Sequence, residues 1–137
     1  MGIVLRIGLG LIGVAIIFLG LNVGLGGIAT LGWQGAGKFI TIIDQDLFEV
    51  RDNHVRFIGG VWLGVGLVFL ASAFLLTKLK PTLLVLFLVI FVGGLARLSA
   101  LDMGLLLSAD ILPSLLMELV VFPLIGLWVF LQEPRYA

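Results

Sequence analysis

Val92-Gly93-Gly94-Leu95-Ala96-Arg97-Leu98 and, further on, Leu116-Met117-Glu118-Leu119 decide how this chain is read. Each stretch sets one full charge inside a segment that is otherwise almost purely apolar. A charge in a membrane span is expensive unless it is paired or faces a wet cavity. The two stretches therefore call for membrane helices with a polar spot in their midst.

The composition agrees. Hydrophobic residues make up 61% of the 137 and charged residues 12%, where soluble domains carry roughly 25% charged residues. A soluble fold of this length has no way to hide so much apolar surface, so lipid is the expected solvent. The formal net charge is zero, which argues against nucleic acid as a partner, because phosphate binding needs a basic face. With no cysteine there is no disulfide or thiolate chemistry, and a lone histidine, His54, removes multi-histidine metal sites. The expectation is no metal and no cofactor.

A span needs about 20 apolar residues to cross about 30 Å of hydrocarbon. Four segments qualify: residues 4–25, 55–76, 82–100 and 112–131. The first has the basic Arg6 near its start, as a signal peptide would, but its apolar run, Ile7 to Leu25, is long and lacks a prompt small-x-small cleavage site, so a retained helix is expected. The fold class expected is all-α: a single domain, 1–137, forming a four-helix up-down transmembrane bundle. Lys78-Leu79-Lys80-Pro81 reads as the tight turn between the second and third spans, with Pro81 in the first turn of the next helix.

The connection 26–54 is long. Phe39, Ile43, Leu47 and Val50 recur at helical spacing, while Asp44, Asp46 and Glu49 point elsewhere. This predicts a short amphipathic helix between the first two spans, lying on the membrane surface as a lid. Its acidic face suits the outer side. The basic residues at helix ends, Arg6, Lys78, Lys80 and Arg135, suit the inner side, so both termini are expected in the cytoplasm.

Depth follows from distance to a turn. Arg97 and Glu118 lie at nearly equal distances from the middle of the third connection, hence at similar depth on neighbouring helices. Arg56 falls nearer the outer interface, and Asn22, near the outer end of the first span, joins the same layer. The functional reading of Arg97, Glu118, Arg56 and Asn22 is an outward-facing polar pocket. The plainer reading is an ion pair that fixes helix register, with Arg56 reaching up to the interface. Pro123 lacks an N–H and clashes with the Leu119 carbonyl, so a kink is expected beside Glu118. Gly20-x-x-x-Gly24 and Gly60-x-x-x-Gly64 match small-residue helix packing, read here as contacts within the chain.

Two other matches carry less. Gly32 to Lys38 imitates most of a phosphate loop, but Phe39 stands where a magnesium-binding Ser or Thr belongs and no strand precedes it. Asp44, Asp46, Glu49, Asp52 and His54 lack the spacing of a calcium loop and read as a solvated face.

The block Asn53-His54-Val55-Arg56-Phe57-Ile58-Gly59-Gly60-Val61-Trp62-Leu63-Gly64-Val65-Gly66, with Gly93-Gly94-Leu95-Ala96-Arg97 and Glu118-Leu119-Val120-Val121-Phe122-Pro123, resembles a bacterial family of small four-helix inner-membrane proteins known as a domain of unknown function. The resemblance implies a four-helix bundle in a bacterial plasma (inner) membrane and no established activity. The connection Asp102 to Asp110 is more apolar than that family leads one to expect, which points to a course dipping into the interface.

The function expected is non-enzymatic: an outward pocket for membrane lipid, a quinone or another hydrophobic small molecule. The alternatives are an accessory or structural subunit of a larger membrane complex and a small transporter. An enzyme is disfavoured, since no nucleophile–base pair or cofactor motif is present.

Overall fold

The computed structural model describes residues 2–30 and 42–132. Among them every regular element is helical: α1 (Gly2–Gly26), α2 (Gln45–Arg97), α3 (Met103–Leu106), α4 (Leu112–Leu116) and α5 (Phe122–Leu131), with a π-helical turn, Met117–Val121, joining the last two. Three helical stretches, Gly2–Thr30, Gln45–Ala100 and Leu112–Leu131, are long and apolar enough to cross a membrane. The protein is thus a helical membrane protein. It divides into two compact units, Met1–Phe74 and Leu75–Ala137, each an antiparallel helix hairpin.

Helix α2 begins at Asp44, whose carboxylate accepts the Leu47 N–H at 2.9 Å and whose carbonyl accepts the Phe48 N–H at 3.1 Å. That is an N-cap. No glycine or proline interrupts residues 45–58, so the helix runs on into the apolar stretch. The separate surface helix expected between the first two spans is therefore not formed among the described residues. Ile43, meant to seat it, is 97% exposed, and Leu47 and Val50 are exposed as well. Phe39, Lys38 and the phosphate-loop imitation lie outside the described residues.

The break expected at Lys78–Pro81 occurs earlier, at Leu75, where φ is −113° and ψ 35°. A break frees the carbonyls of the turn before it. Here Arg6 of α1 takes them, donating from Nη1 to the Ala73 and Phe74 carbonyls at 3.0 Å each. The break thus falls where a cation satisfies the carbonyls it releases. Lys80 does the same in the second unit, donating to the Phe130 and Gln132 carbonyls at 3.0 and 2.5 Å, where α5 ends. A cation at a helix C-terminus also complements the helix dipole.

In the first unit the two helices touch backbone to backbone. A methyl group at Gly13 would come within 2.5 Å of the Leu70 nitrogen, and one at Gly66 within 2.7 Å of the Ile17 nitrogen. Gly20 stands equally close to Leu63, and Gly24 and Gly59 meet each other. Gly20 and Gly24 lie against Leu63 and Gly59, and Gly66 against Gly13 and Ile17, while a Cβ added at Gly60 or Gly64 would meet nothing within 4 Å among the described residues. The reason is helical phase. Positions 59, 63, 66 and 70 share one face, and position 60 is turned about 100° from it.

In the second unit the core is Leu83, Phe87, Ile90, Leu115, Phe122 and Val129. The Phe87 and Phe122 rings lie 6.2 Å apart and tilted by 44°, a favoured aromatic contact. Gly126 lets Phe87 approach, its Cα lying where any side chain would press on the ring.

Candidate functional site

The second hairpin brings together the two charges that its sequence set apart. Gly94 lies against the segment bearing Glu118: a methyl group there would come within 2.9 Å of the Glu118 Cβ and 2.8 Å of a Leu119 methyl. Only glycine allows this approach. Arg97, one turn on and the last residue of α2, then reaches Glu118 with both prongs of its fork. Its Nε donates to Oε2 at 2.7 Å and its Nη2 to Oε1 at 2.9 Å. This is the bidentate, charge-assisted geometry that gives an arginine–carboxylate pair its strength and its fixed orientation.

Glu118 is held on the π-helical turn. Pro123, in the first turn of α5, has no N–H for the Leu119 carbonyl, and its ring would strike that carbonyl in a regular helix. The chain widens instead, and the Phe122 N–H reaches back five residues to the Met117 carbonyl. The expected kink beside Glu118 thus takes the form of a single widened turn, a feature often found at functional sites.

The pair is asymmetric. Glu118 is buried, at 8% exposure, while the Arg97 side chain is 40% exposed. Two of the five guanidinium donors serve Glu118, and the other three lie on the edge turned away from it.

Arg56 and Asn22, expected in the same polar layer, belong to the first hairpin and serve its closed end. Arg56 donates through Nε to Asp52 at 2.6 Å and through Nη1 to the Leu25 carbonyl. Asp52 also accepts the Ile28 N–H at 2.7 Å. Gly27 sits at φ +70° between them, and any side chain there would strike the Asp52 carboxylate. Its positive φ ends α1 as a C-terminal glycine does. The Thr30 hydroxyl lies 2.8 Å from the Asn22 carbonyl and 3.0 Å from that of Gly27. The Asn22 side-chain oxygen is buried and has no hydrogen-bond partner among the described residues.

Sequence reasoning missed Gly27, Thr30 and the part played by Asp52. A signal was present: Asp52 and Arg56 stand four apart on a helix, a spacing that favours an acid–base pair. Asp46, Glu49, Val50, Asn53 and His54 line a hollow along one face of α2 that is open to its surroundings, in keeping with a solvated face.

No curated protein and no solved structure matches the chain. Residues 4–129, nearly all of it, match the family described as domain of unknown function DUF4345, and the chain belongs to that family.

Proposed function

We propose that this is a non-enzymatic membrane protein in which Arg97, steadied by Glu118, meets the oxygen-bearing head group of a lipid, quinone or similar amphiphile. The observation that carries the reading is the asymmetry of the pair. A pair serving only to staple two helices has no use for a half-exposed guanidinium. Here the carboxylate is buried and gripped by the fork, while the arginine side chain is 40% exposed and carries three donors beyond the two given to Glu118. Donors in that setting need acceptor oxygens, and phosphate, carboxylate or quinone oxygens supply them.

The test is native mass spectrometry of the protein extracted in mild detergent. The native chain should carry an amphiphile adduct. A chain with both Arg97→Leu and Glu118→Leu should fold and lose it. An adduct unchanged by the double substitution would sink the reading. The second reading, an accessory subunit, draws on Gly60 and Gly64, where a Cβ would meet nothing within 4 Å among the described residues, leaving a close-approach surface for a partner. It predicts a much larger assembly in the same spectra.

We further infer four crossings of a bacterial plasma membrane with both termini in the cytoplasm. The 53 residues of α2 would span about 80 Å if straight, more than twice a hydrocarbon core, and its break at Leu75 divides it into two lengths that each fit. Arg6, Lys78 and Lys80 fall at the ends assigned to the inner face. Reporter tags fused to either terminus should be read from the cytoplasm, and an external C-terminus would reverse the assignment.

A further inference from the structure

The segment between Arg97 and Leu112 is built unlike a loop that lives in water. Its side chains are the first sign. Leu101 is 87% exposed, Met103 63%, Leu105 50% and Leu107 60%, while Leu106 alone turns inward at 4%. Leu101 also adopts φ +53°, a left-handed conformation rare for a branched apolar residue. That turn directs a leucine outward where a water-facing loop would use glycine or asparagine.

The second sign is independent and lies in the backbone. Residues 98–100 form a 3-10 turn closed by the Leu101 N–H on the Leu98 carbonyl. The Leu105 N–H is taken by the Asp102 carboxylate at 3.0 Å. The N–H groups of Leu106, Leu107, Ser108, Ile111 and Leu112 all find carbonyls within the segment at 2.9–3.2 Å. Much of the segment's backbone is thus bonded internally, which lowers the cost of leaving water, since each unmet polar group in hydrocarbon costs several kcal/mol.

Location supplies the third argument. The segment is flanked at once by apolar helix on both sides, the stretch ending at Ala100 and that starting at Leu112. If those helices cross the bilayer, a connection this short cannot leave its surface.

We propose that residues 98–111 form an interfacial anchor, seated at the boundary between lipid head groups and acyl chains, with Leu101, Met103, Leu105 and Leu107 immersed in lipid. The occupant of this apolar face is the bilayer itself. The anchor is independent of what Arg97 binds. It follows from exposed leucine, a backbone bonded in large part within the segment, and continuity with the apolar helices on either side. Apolar side chains exposed on such a turn bind an interface in proportion to the area they bury.

The chain has no cysteine, so single labels are clean. Leu101→Cys, Leu105→Cys and, as a control on the solvated helix face, Asp46→Cys would each carry an environment-sensitive fluorophore in phosphatidylcholine vesicles. Aqueous iodide and a lipid nitroxide near the top of the acyl chain serve as quenchers. The labels at 101 and 105 should be quenched several-fold more by the nitroxide than by iodide, and the label at 46 the reverse. Iodide quenching at 101 and 105 equal to that at 46 would overturn the proposal, as would protection from both quenchers, which would mean that protein covers the face. Met103→Cys repeats the measurement should either leucine variant fail to fold.

Discussion

Arg97→Leu alone should lower the stability of the protein in detergent by about 3–5 kcal/mol, the cost typical of leaving one member of a buried pair uncompensated. Glu118→Leu alone should cost less. The asymmetry of the pair sets the order. Losing Arg97 strands a carboxylate that is 8% exposed and sits on a shorter, less mobile stem. Losing Glu118 strands a guanidinium that is 40% exposed and ends α2, so it can swing toward head groups or water on its flexible stem. Replacing both residues by leucine should return stability to near the native value, because an apolar pair of similar volume needs no desolvation. Thermal unfolding of the four proteins in one detergent decides it. Single variants as stable as the native chain would mean that the bidentate pair contributes nothing. A double variant no better than Arg97→Leu would mean that the site cannot close around apolar side chains.

The sequence makes this pair legible because antiparallel helices conserve depth. Positions equidistant from a connection meet, whatever the connection's own course, and Arg97 and Glu118 stand so. The same arithmetic fails where the turn itself is misplaced. Lys78-Leu79-Lys80-Pro81 looks like a turn by residue type, yet the break lies at Leu75, because the deciding contact is with Arg6, nearly seventy residues away in the chain. No local signal carries that. The surface helix is a different failure. The apolar spacing of Leu47 and Val50 is real, but periodicity does not say where a helix ends. With no glycine or proline before Gly59, nothing stops the turn begun at Asp44 from running into the apolar stretch. Depth alone puts Arg56 in an outer polar layer with Asn22 and does not name its partner, whereas the four-residue spacing to Asp52, one turn back, does.

The glycine-rich faces show how sharply one residue of phase matters, and they set the largest effect expected in the first hairpin. Gly59→Leu should prevent α1 from closing on the first half of α2. A side chain at Gly59 would enter the backbone of α1 at Val23 and Gly24, with the Gly24 Cα only 2.6 Å from the first added carbon. Overpacking costs typically about 1–3 kcal/mol when neighbouring side chains can yield, but here the obstacle is main chain and cannot. The closed end of the hairpin opens with it, since Arg56 and Asp52 lie one and two turns away on α2 and bond to the Leu25 carbonyl and the Ile28 N–H. Gly60→Leu is the control. A Cβ added there meets nothing within 4 Å among the described residues, and leucine, with a better helix propensity than glycine, should leave stability within about 0.5 kcal/mol of native. Expression, monodispersity and melting temperature in mild detergent separate the two. Loss of folded protein in the Gly59 variant beside a healthy Gly60 variant fits the packing described. The opposite order would place the helix seam on the face that carries Gly60 and Gly64 and would undo the register of the whole first hairpin, because the contacts of Gly13, Gly20 and Gly24 all share the phase of Gly59 and Gly66.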